Sequence, residues 1–377
     1  MDRYAHIVGW GKYLPREVLT NEALAELVDT SHEWIVARTG IYQRRIAGRR
    51  ESTYTMALRA AREALQVANI DPRDLDLIIV GTATPDYLFP ATACLVQDAL
   101  GATRAGAFDL EAGCTSFLYA LAVASRMIMA GANERVLVIG AETLSRIVDW
   151  KDRNTCVLFG DGAGAFVLQA SDAPGGVLSA MLGADGSGGP LLMIPAGGSR
   201  QPASPETVRR GLHYVRMDGR AVFRFASRVM SEAASEAIGA ARLTADQIDL
   251  FIPHQANLRI IRSAARRLNI PMERVFVNVQ KYGNTSAAAI PIAFCEAIEE
   301  ERLKPGDHVV LVSFGAGLTW AAAVVKWQIP IPVPPPPRHL RFRRWLRYGW
   351  AILRSRFRHL RRRFDAWWVR ITQGDVA

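Results

Sequence analysis

The sequence predicts an α/β chain made from one unit used twice, with a short basic tail appended. Three observations predict it. Apolar strand runs alternate with helical patterns up to about residue 327, a G-x-T-S motif ahead of a small-residue helix occurs twice, and the net charge is confined to residues 338–377.

The strand runs are Leu75–Thr82 (LDLIIVGT), Arg135–Gly140 (RVLVIG), Asp249–Pro253 (DLFIP) and His308–Phe314 (HVVLVSF). Short continuous apolar runs mark strands covered on both faces. Between them lie helical patterns over Ser52–Ala68, Thr115–Ala130, Gly219–Ala241, Asn257–Leu268 and Thr285–Glu301. Strands alternating with helices imply an α/β fold.

The repeat pairs GCTSFLYALAVA (Gly113–Ala124) with GNTSAAAIPIAF (Gly283–Phe294). An Asp-led strand precedes each, at Asp76 and Asp249, and a buried strand follows each, at Val136 and Val309. Two copies of one unit explain this, divided as residues 1–172 and 173–328. Cys114 and Asn284 then take equivalent places, each expected at a helix N-terminus.

The charge has a simple distribution. Residues 338–377 hold twelve Arg, no Lys and two acids, Asp365 and Asp375, which accounts for the whole +10. The remaining 34 basic and 34 acidic residues cancel. A whole-chain case for nucleic-acid binding therefore fails. The four cysteines show no metal-ligand spacing and no CxxC pair, so neither a metal site nor a disulfide framework is expected. The start, MDRYAHIVGWGKYLP, lacks a basic region followed by an apolar one, and no apolar run is long enough to span a bilayer. The expectation is a cytoplasmic protein.

A cysteine at a helix N-terminus meets unpaired N–H groups and the positive end of the macrodipole. Its thiolate is then stabilised and can attack at neutral pH, forming a thioester. On local sequence alone Cys114 reads equally well as a buried core thiol. PHQANLR (Pro253–Arg259) sets His254 directly after an apolar strand, and YGNTS (Tyr282–Ser286) sets Asn284 before a helix. Both lie where α/β sites form, yet singly one could be a structural histidine and the other a helix cap.

Together, these segments resemble the beta-ketoacyl-[acyl-carrier-protein] synthase III family, the initiating condensing enzymes of fatty acid synthesis. The resemblance covers roughly residues 1–327. It includes TSHEWIVARTGI (Thr30–Ile41), FPATAC (Phe89–Cys94), FGDGAGAFVL (Phe159–Leu168), PHQANLRI (Pro253–Ile260), YGNTSAAA (Tyr282–Ala289) and SFGAGLTWAAAVV (Ser313–Val325). It implies the thiolase fold, two βαβαβαββ-type halves in a layered α/β/α/β/α core. It also implies a homodimer that takes acyl-CoA and malonyl-acyl carrier protein (ACP) as substrates and needs no cofactor.

The resemblance assigns roles. Cys114 takes the acyl group, while His254 and Asn284 donate hydrogen bonds to the malonyl thioester oxygen. The oxyanion rests on the backbone N–H groups of Cys114 and Ala316. Ala316 stands where the family has a glycine, so a positive φ there would be strained. Trp34, Arg38, Arg153 and Asn257 are implied to bind coenzyme A. Trp34 and Arg38 stand i,i+4 on one helix face, where an indole and a guanidinium can sandwich adenine. Arg224 and Arg259 are implied to dock ACP, and Phe89 to line the primer pocket. Hydroxymethylglutaryl-thioester synthases share Cys, His and Asn but need a glutamate base where this chain has Ile79, which argues against that activity. A relative making a specialised ketide or ester is the alternative. The nucleophile motif departs from the common A-C-A-G-F, reading G-C-T-S-F, so Thr115 and Ser116 raise the question of altered substrate.

Beyond the body, Ile329–Pro337 holds six prolines in nine residues and reads as a polyproline spacer of about 28 Å. Leu346, Trp350, Leu353, Phe357, Leu360, Phe364, Trp367 and Ile371 then recur at spacings of four and three, flanked by Arg347, Arg354, Arg361, Arg356, Arg363 and Arg370. This is a basic amphipathic helix. Like-charged flanks disfavour a parallel homomeric coiled coil. The stripe fits an anionic membrane surface or an acidic partner, placing the enzyme peripherally at the membrane; packing on the protein's own body or on a protein partner is the alternative, and nucleic acid the weaker reading.

Overall fold

The computed structural model describes residues 3–328 and, in the tail, residues 346–351, 353–355, 357–358, 360–362, 364–365 and 368. The proline run Ile329–Pro337 and the tail positions Arg356, Arg363, Trp367, Arg370 and Ile371 lie outside the described residues.

Thirteen strands are described: β1 (Tyr4–Tyr13), β2 (Glu17–Thr20), β3 (Gln43–Ile46), β4 (Leu77–Gly81), β5 (Gly106–Leu110), β6 (Arg135–Thr143), β7 (Asp161–Ser171), β8 (Gly176–Ala184), β9 (Leu192–Met193), β10 (Arg216–Met217), β11 (Leu250–Pro253), β12 (His308–Gly315) and β13 (Thr319–Lys326). Two sheets dominate. One has the order β1-β7-β6-β4-β5, the other β8-β13-β12-β11. Their pairings match. β4 and β11 run parallel to β6 and β12, which run antiparallel to β7 and β13, which run antiparallel to β1 and β8. The counterpart of β5 in the second sheet is a single parallel bridge, Phe251 to Val275. The chain crosses from one sheet to the other between Ser171 and Gly176.

Strand alternation builds the layers. In β4, Leu77 and Ile79 join the core between the sheets, while Ile78 and Val80 face the outer helices. In β12, Val309 and Leu311 face inward and Val310 and Val312 outward. Both faces are covered, which is why these strands read as unbroken apolar runs. The middle layer is the helix pair Ser116–Met129 and Ala289–Glu299, packed on both sheets through Phe117, Leu121, Ile290 and Phe294. The helices Thr53–Ala68 and Thr92–Leu100 cover one outer face, and Gly219–Ala240 and Leu258–Arg267 cover the other. The result is the five-layered thiolase fold.

The two repeat helices start later than their motifs suggest. Each is preceded by a 3₁₀ turn, at Gly113–Thr115 and Ser286–Ala288. Gly113 (φ 57°) and Ser286 (φ 49°) hold left-handed conformations that no α-helix start accommodates. Cys114 therefore sits inside the turn, and Asn284 two residues before its own, rather than at helical N-termini.

The described tail residues 346–351 are helical and lie on the outer face of the first sheet's helix layer. Arg347 pairs with Asp71, Ser355 hydrogen-bonds Asp98, and Arg358 meets Asp98 at 2.8 Å. The Arg62 guanidinium stands 4.5 Å from the Tyr348 ring centre. Ala351 is buried against the chain at Gly101. The apolar stripe is largely open: Trp350, Leu353, Phe357, Leu360 and Phe364 are all exposed, although Trp350, Leu353 and Phe357 also wall a groove of about 740 Å³ against Pro72, Leu100 and Gly101 of the body.

Candidate active site

The turn that carries Cys114 is tied from within. Thr115 Oγ1 donates to Ala112 O (2.6 Å) and lies 2.9 Å from Thr319 Oγ1, and Ser116 Oγ donates to Gly113 O (2.7 Å). Thr115 and Ser116 are fully buried. Their hydroxyls brace the nucleophile's backbone, so they do not reach a substrate. The end of β12 closes on the same turn. A Cβ on Gly315 would lie 2.5 Å from Cys114 N, and one on Gly113 would lie 2.8 Å from Ala316 N. Glycine at both places is what lets these backbone N–H groups converge. Ala316 is not among the positive-φ residues, and Gly317 takes that conformation instead (φ 136°). The strain expected at Ala316 is absent because the turn has moved it one residue on.

His254 follows β11 directly. Its backbone N–H donates to Val312 O at 2.8 Å, and its ring meets Phe314 edge-on, 5.4 Å between centres. It is only 1% exposed, and among the described residues neither Nδ1 nor Nε2 has a hydrogen-bond partner. Burial without a neighbouring carboxylate drops its pKa to about 3, so the ring is neutral. A neutral imidazole offers one N–H and one bare nitrogen.

Asn284 is held at three points. Its N–H donates to Leu158 O (2.8 Å), its carbonyl accepts from Gly160 N (2.9 Å), and its Oδ1 accepts from Ser286 N (2.8 Å). With Oδ1 engaged, the Nδ2 N–H₂ is the part of the amide left to donate.

Cys114, His254 and Asn284 line one cavity of about 730 Å³, with Phe314 and Gly315 beside them. The surroundings of Cys114, whose side chain is itself part exposed, work against the expected thiolate. Burial pushes the Cys114 thiol up to about 12; a hydrogen bond from Ser286 works against this, and the Glu142 charge adds to it. The 3₁₀ turn supplies too little helix to outweigh burial. Glu142 is fully buried. It accepts from Thr84 Oγ1 (2.5 Å), Ala83 N (3.1 Å) and Ser286 Oγ (3.0 Å), and burial lifts its pKa to about 7.

The cavity's outer wall carries Trp34, Arg38, Asn257, Arg224 and Arg259. The Arg38 guanidinium lies 4.7 Å from the Trp34 ring centre and that of Arg153 5.3 Å. Arg153 is not on the lining itself and is bound to Asp29 O at 2.7 Å. Asn257 caps the helix Leu258–Arg267 through Arg259 N (2.8 Å) and donates to Arg38 O (3.0 Å), so it ties that helix to the one carrying Trp34 and Arg38. Phe89 does not reach the cavity. It is 86% exposed, on the loop leading into Thr92–Leu100, beside the equally open Tyr87 and Leu88. Phe89, expected in the primer pocket, is not on the lining of Cys114's cavity within one chain.

Comparison with known proteins decides the family. The profile for 3-oxoacyl-[acyl-carrier-protein (ACP)] synthase III matches residues 108–186, and that for its C-terminal region matches residues 238–327. The beta-ketoacyl-[acyl-carrier-protein] synthase III of Roseiflexus sp. (strain RS-1) is 53% identical over 327 residues, 87% of this chain and 99% of the relative. That of Symbiobacterium thermophilum is 55% identical over 85% of this chain and 97% of its own. The chain belongs to the beta-ketoacyl-[acyl-carrier-protein] synthase III family. Solved members superpose closely. The 3-oxoacyl-[acyl-carrier-protein] synthase III of Aquifex aeolicus is 49% identical, with a TM-score of 0.80 over 86% of this chain and 100% of that one. The Pseudomonas aeruginosa enzyme is 41% identical, with a TM-score of 0.81 over 87% and 100%. As a synthase III, the protein is an acyltransferase-type condensing enzyme.

Sequence reasoning missed Glu142 and the side chain of Ser286. A carboxylate inside VLVIGAET was the available signal, since a strand buried on both faces cannot solvate it.

Proposed function

We propose that this synthase III joins an acyl-CoA primer to malonyl-ACP, giving 3-oxoacyl-ACP and starting fatty acid synthesis. The observation that carries this is the shared cavity of Cys114, His254 and Asn284, in which both His254 nitrogens lack a partner among the described residues.

The thiol attacks the acyl-CoA carbonyl as its proton passes to the departing CoA sulfur. This coupling avoids a free thiolate, which the burial of Cys114 disfavours. The oxyanion is received by the converging N–H groups of Cys114 and Ala316. Malonyl-ACP then loses CO₂, and the electron pair becomes an enolate. Its oxygen accepts from the N–H of His254 and from Asn284 Nδ2. The enolate carbon attacks the acyl carbonyl, the bond from that carbon to Cys114 Sγ breaks, and the thiolate regains a proton from solvent.

In this reading Trp34, Arg38, Arg153 and Asn257 hold coenzyme A, with Arg38 or Arg153 leaving the Trp34 face to adenine. Arg224 and Arg259 meet the acidic carrier. The edge strand β5, with Tyr87, Leu88, Phe89 and Phe108 exposed near it, supports a homodimer. The protein is placed in the cytoplasm, with the arginine-rich tail at an anionic membrane surface. Among the described residues no helix is long and apolar enough to cross a membrane.

The test is stepwise mass spectrometry. Labelled acyl-CoA should add its acyl mass at Cys114, and malonyl-ACP should then remove it as 3-oxoacyl-ACP. No acylation with any primer would sink the enzyme reading. Acylation without condensation would point to a specialised ketide or ester.

A further inference from the structure

The tail helix has two faces with different tasks. Successive residues are about 100° apart around a helix. On that wheel Trp350, Leu353, Phe357, Leu360 and Phe364 share one direction, while Arg347, Ala351, Ser355 and Arg358 share another about 140° away. The second set makes the polar contacts described above with Asp71 and Asp98 and packs Ala351 at Gly101. The first set is 58–71% exposed.

We infer that this helix engages an anionic lipid bilayer through its apolar stripe while its opposite face stays docked on the enzyme body. The inference rests on the peripheral placement proposed above and adds the mode of attachment. Charge complementarity selects the occupant. Arg354 and Arg361 stand between the two faces and are exposed, and the tail as a whole carries the chain's entire +10. Guanidinium groups pair bidentately with phosphate, and tryptophan favours the headgroup boundary. A second copy of this tail would set arginine against arginine. The acidic residues that could neutralise the inner arginines, Asp71 and Asp98, belong to the body. The helix can thus present a lipid-facing stripe without detaching.

Two sets of variants test this with the full chain. Leu353→Glu with Phe357→Glu changes only exposed positions, so folding is retained. Gly101→Cys with Ala351→Cys traps the docked helix, since a Cβ on Gly101 would lie 3.2 Å from that of Ala351, near disulfide reach. Gly101 has φ 73°, so Ser355→Cys with Asp98→Cys serves as the second pair. Sedimentation with phosphatidylglycerol vesicles should retain the wild type and both oxidised trap forms. Binding should fall at least tenfold for the glutamate variant and with phosphatidylcholine vesicles. Equal binding by wild type and glutamate variant would overturn the membrane placement itself. Binding by the reduced but not the oxidised form would overturn only the docked mode, as would failure of both cysteine pairs to close. Lipid-free self-association that the glutamate variant abolishes would make a second copy the occupant and overturn the proposal.

Discussion

Glu142 and Cys114 are linked through one hydroxyl: Ser286 Oγ stands 3.0 Å from Glu142 Oε1 and is also the side chain that hydrogen-bonds the Cys114 sulfur. One hydroxyl has one proton. When it points at sulfur, Glu142 can complete the chain only by carrying a proton itself, which a pKa of about 7 allows. Glu142→Gln removes a negative charge that holds the thiol up. The pH midpoint for iodoacetamide alkylation of Cys114 should therefore move down by roughly one unit, in line with the effect of a nearby like charge. An unchanged or higher midpoint would show that the carboxylate does not act on the sulfur.

Asn284→Ala should separate the two half-reactions. Acylation of Cys114 should persist, because the amide serves the malonyl step. Condensation should fall by about 10²–10³, the usual loss for one oxyanion donor. Single-turnover mass analysis distinguishes them, and equal loss in both steps would contradict the assignment.

The buried pair His254 and Glu142 makes opposing contributions to stability. The His254 pKa is about 3 when folded, against an ordinary 6.5. Below pH 6.5 the unfolded chain takes up a proton that the folded one refuses, so this contribution is lost as pH falls. Glu142 is raised to about 7. Above its ordinary value near 4.3 the folded chain keeps a proton that the unfolded one has released, so this contribution is lost as pH rises toward 7. Between about pH 4.5 and 6.5 the two nearly cancel, each being worth up to about 1.4 kcal/mol per pH unit. Urea unfolding should show Glu142→Gln with a stability that rises with pH more steeply than the wild type. His254→Ala should tilt the other way.

Trp34→Ala should raise KM for acyl-CoA several-fold, the scale of one exposed cation–π contact, and leave condensation from a preloaded acyl-enzyme unchanged. A fall in the condensation rate alone would place Trp34 elsewhere in the cycle.

Much of this was legible in the sequence because unbroken apolar strands and a repeated G-x-T-S motif report both the layering and the pairing of Cys114 with Asn284. Local signals carried the triad, since Cys114, His254 and Asn284 each lie within two residues of an element's end. What stayed hidden depends on surroundings. Whether Cys114 is a thiol or a thiolate is set by burial and by Glu142, 28 residues away along the chain. That Thr115 and Ser116 brace the turn depends on Ala112 and Thr319.

The unequal edges of the two sheets bear on how copies of this chain assemble. A doubled unit with two intact lateral rims could add molecules head to tail without limit. Here one rim is the five-residue strand β5, and its counterpart is worn down to the lone Phe251–Val275 bridge. Pairing β5 with its own image uses up that rim on both molecules at once. Growth through these rims would then stop at two, with no open end left to seed a filament.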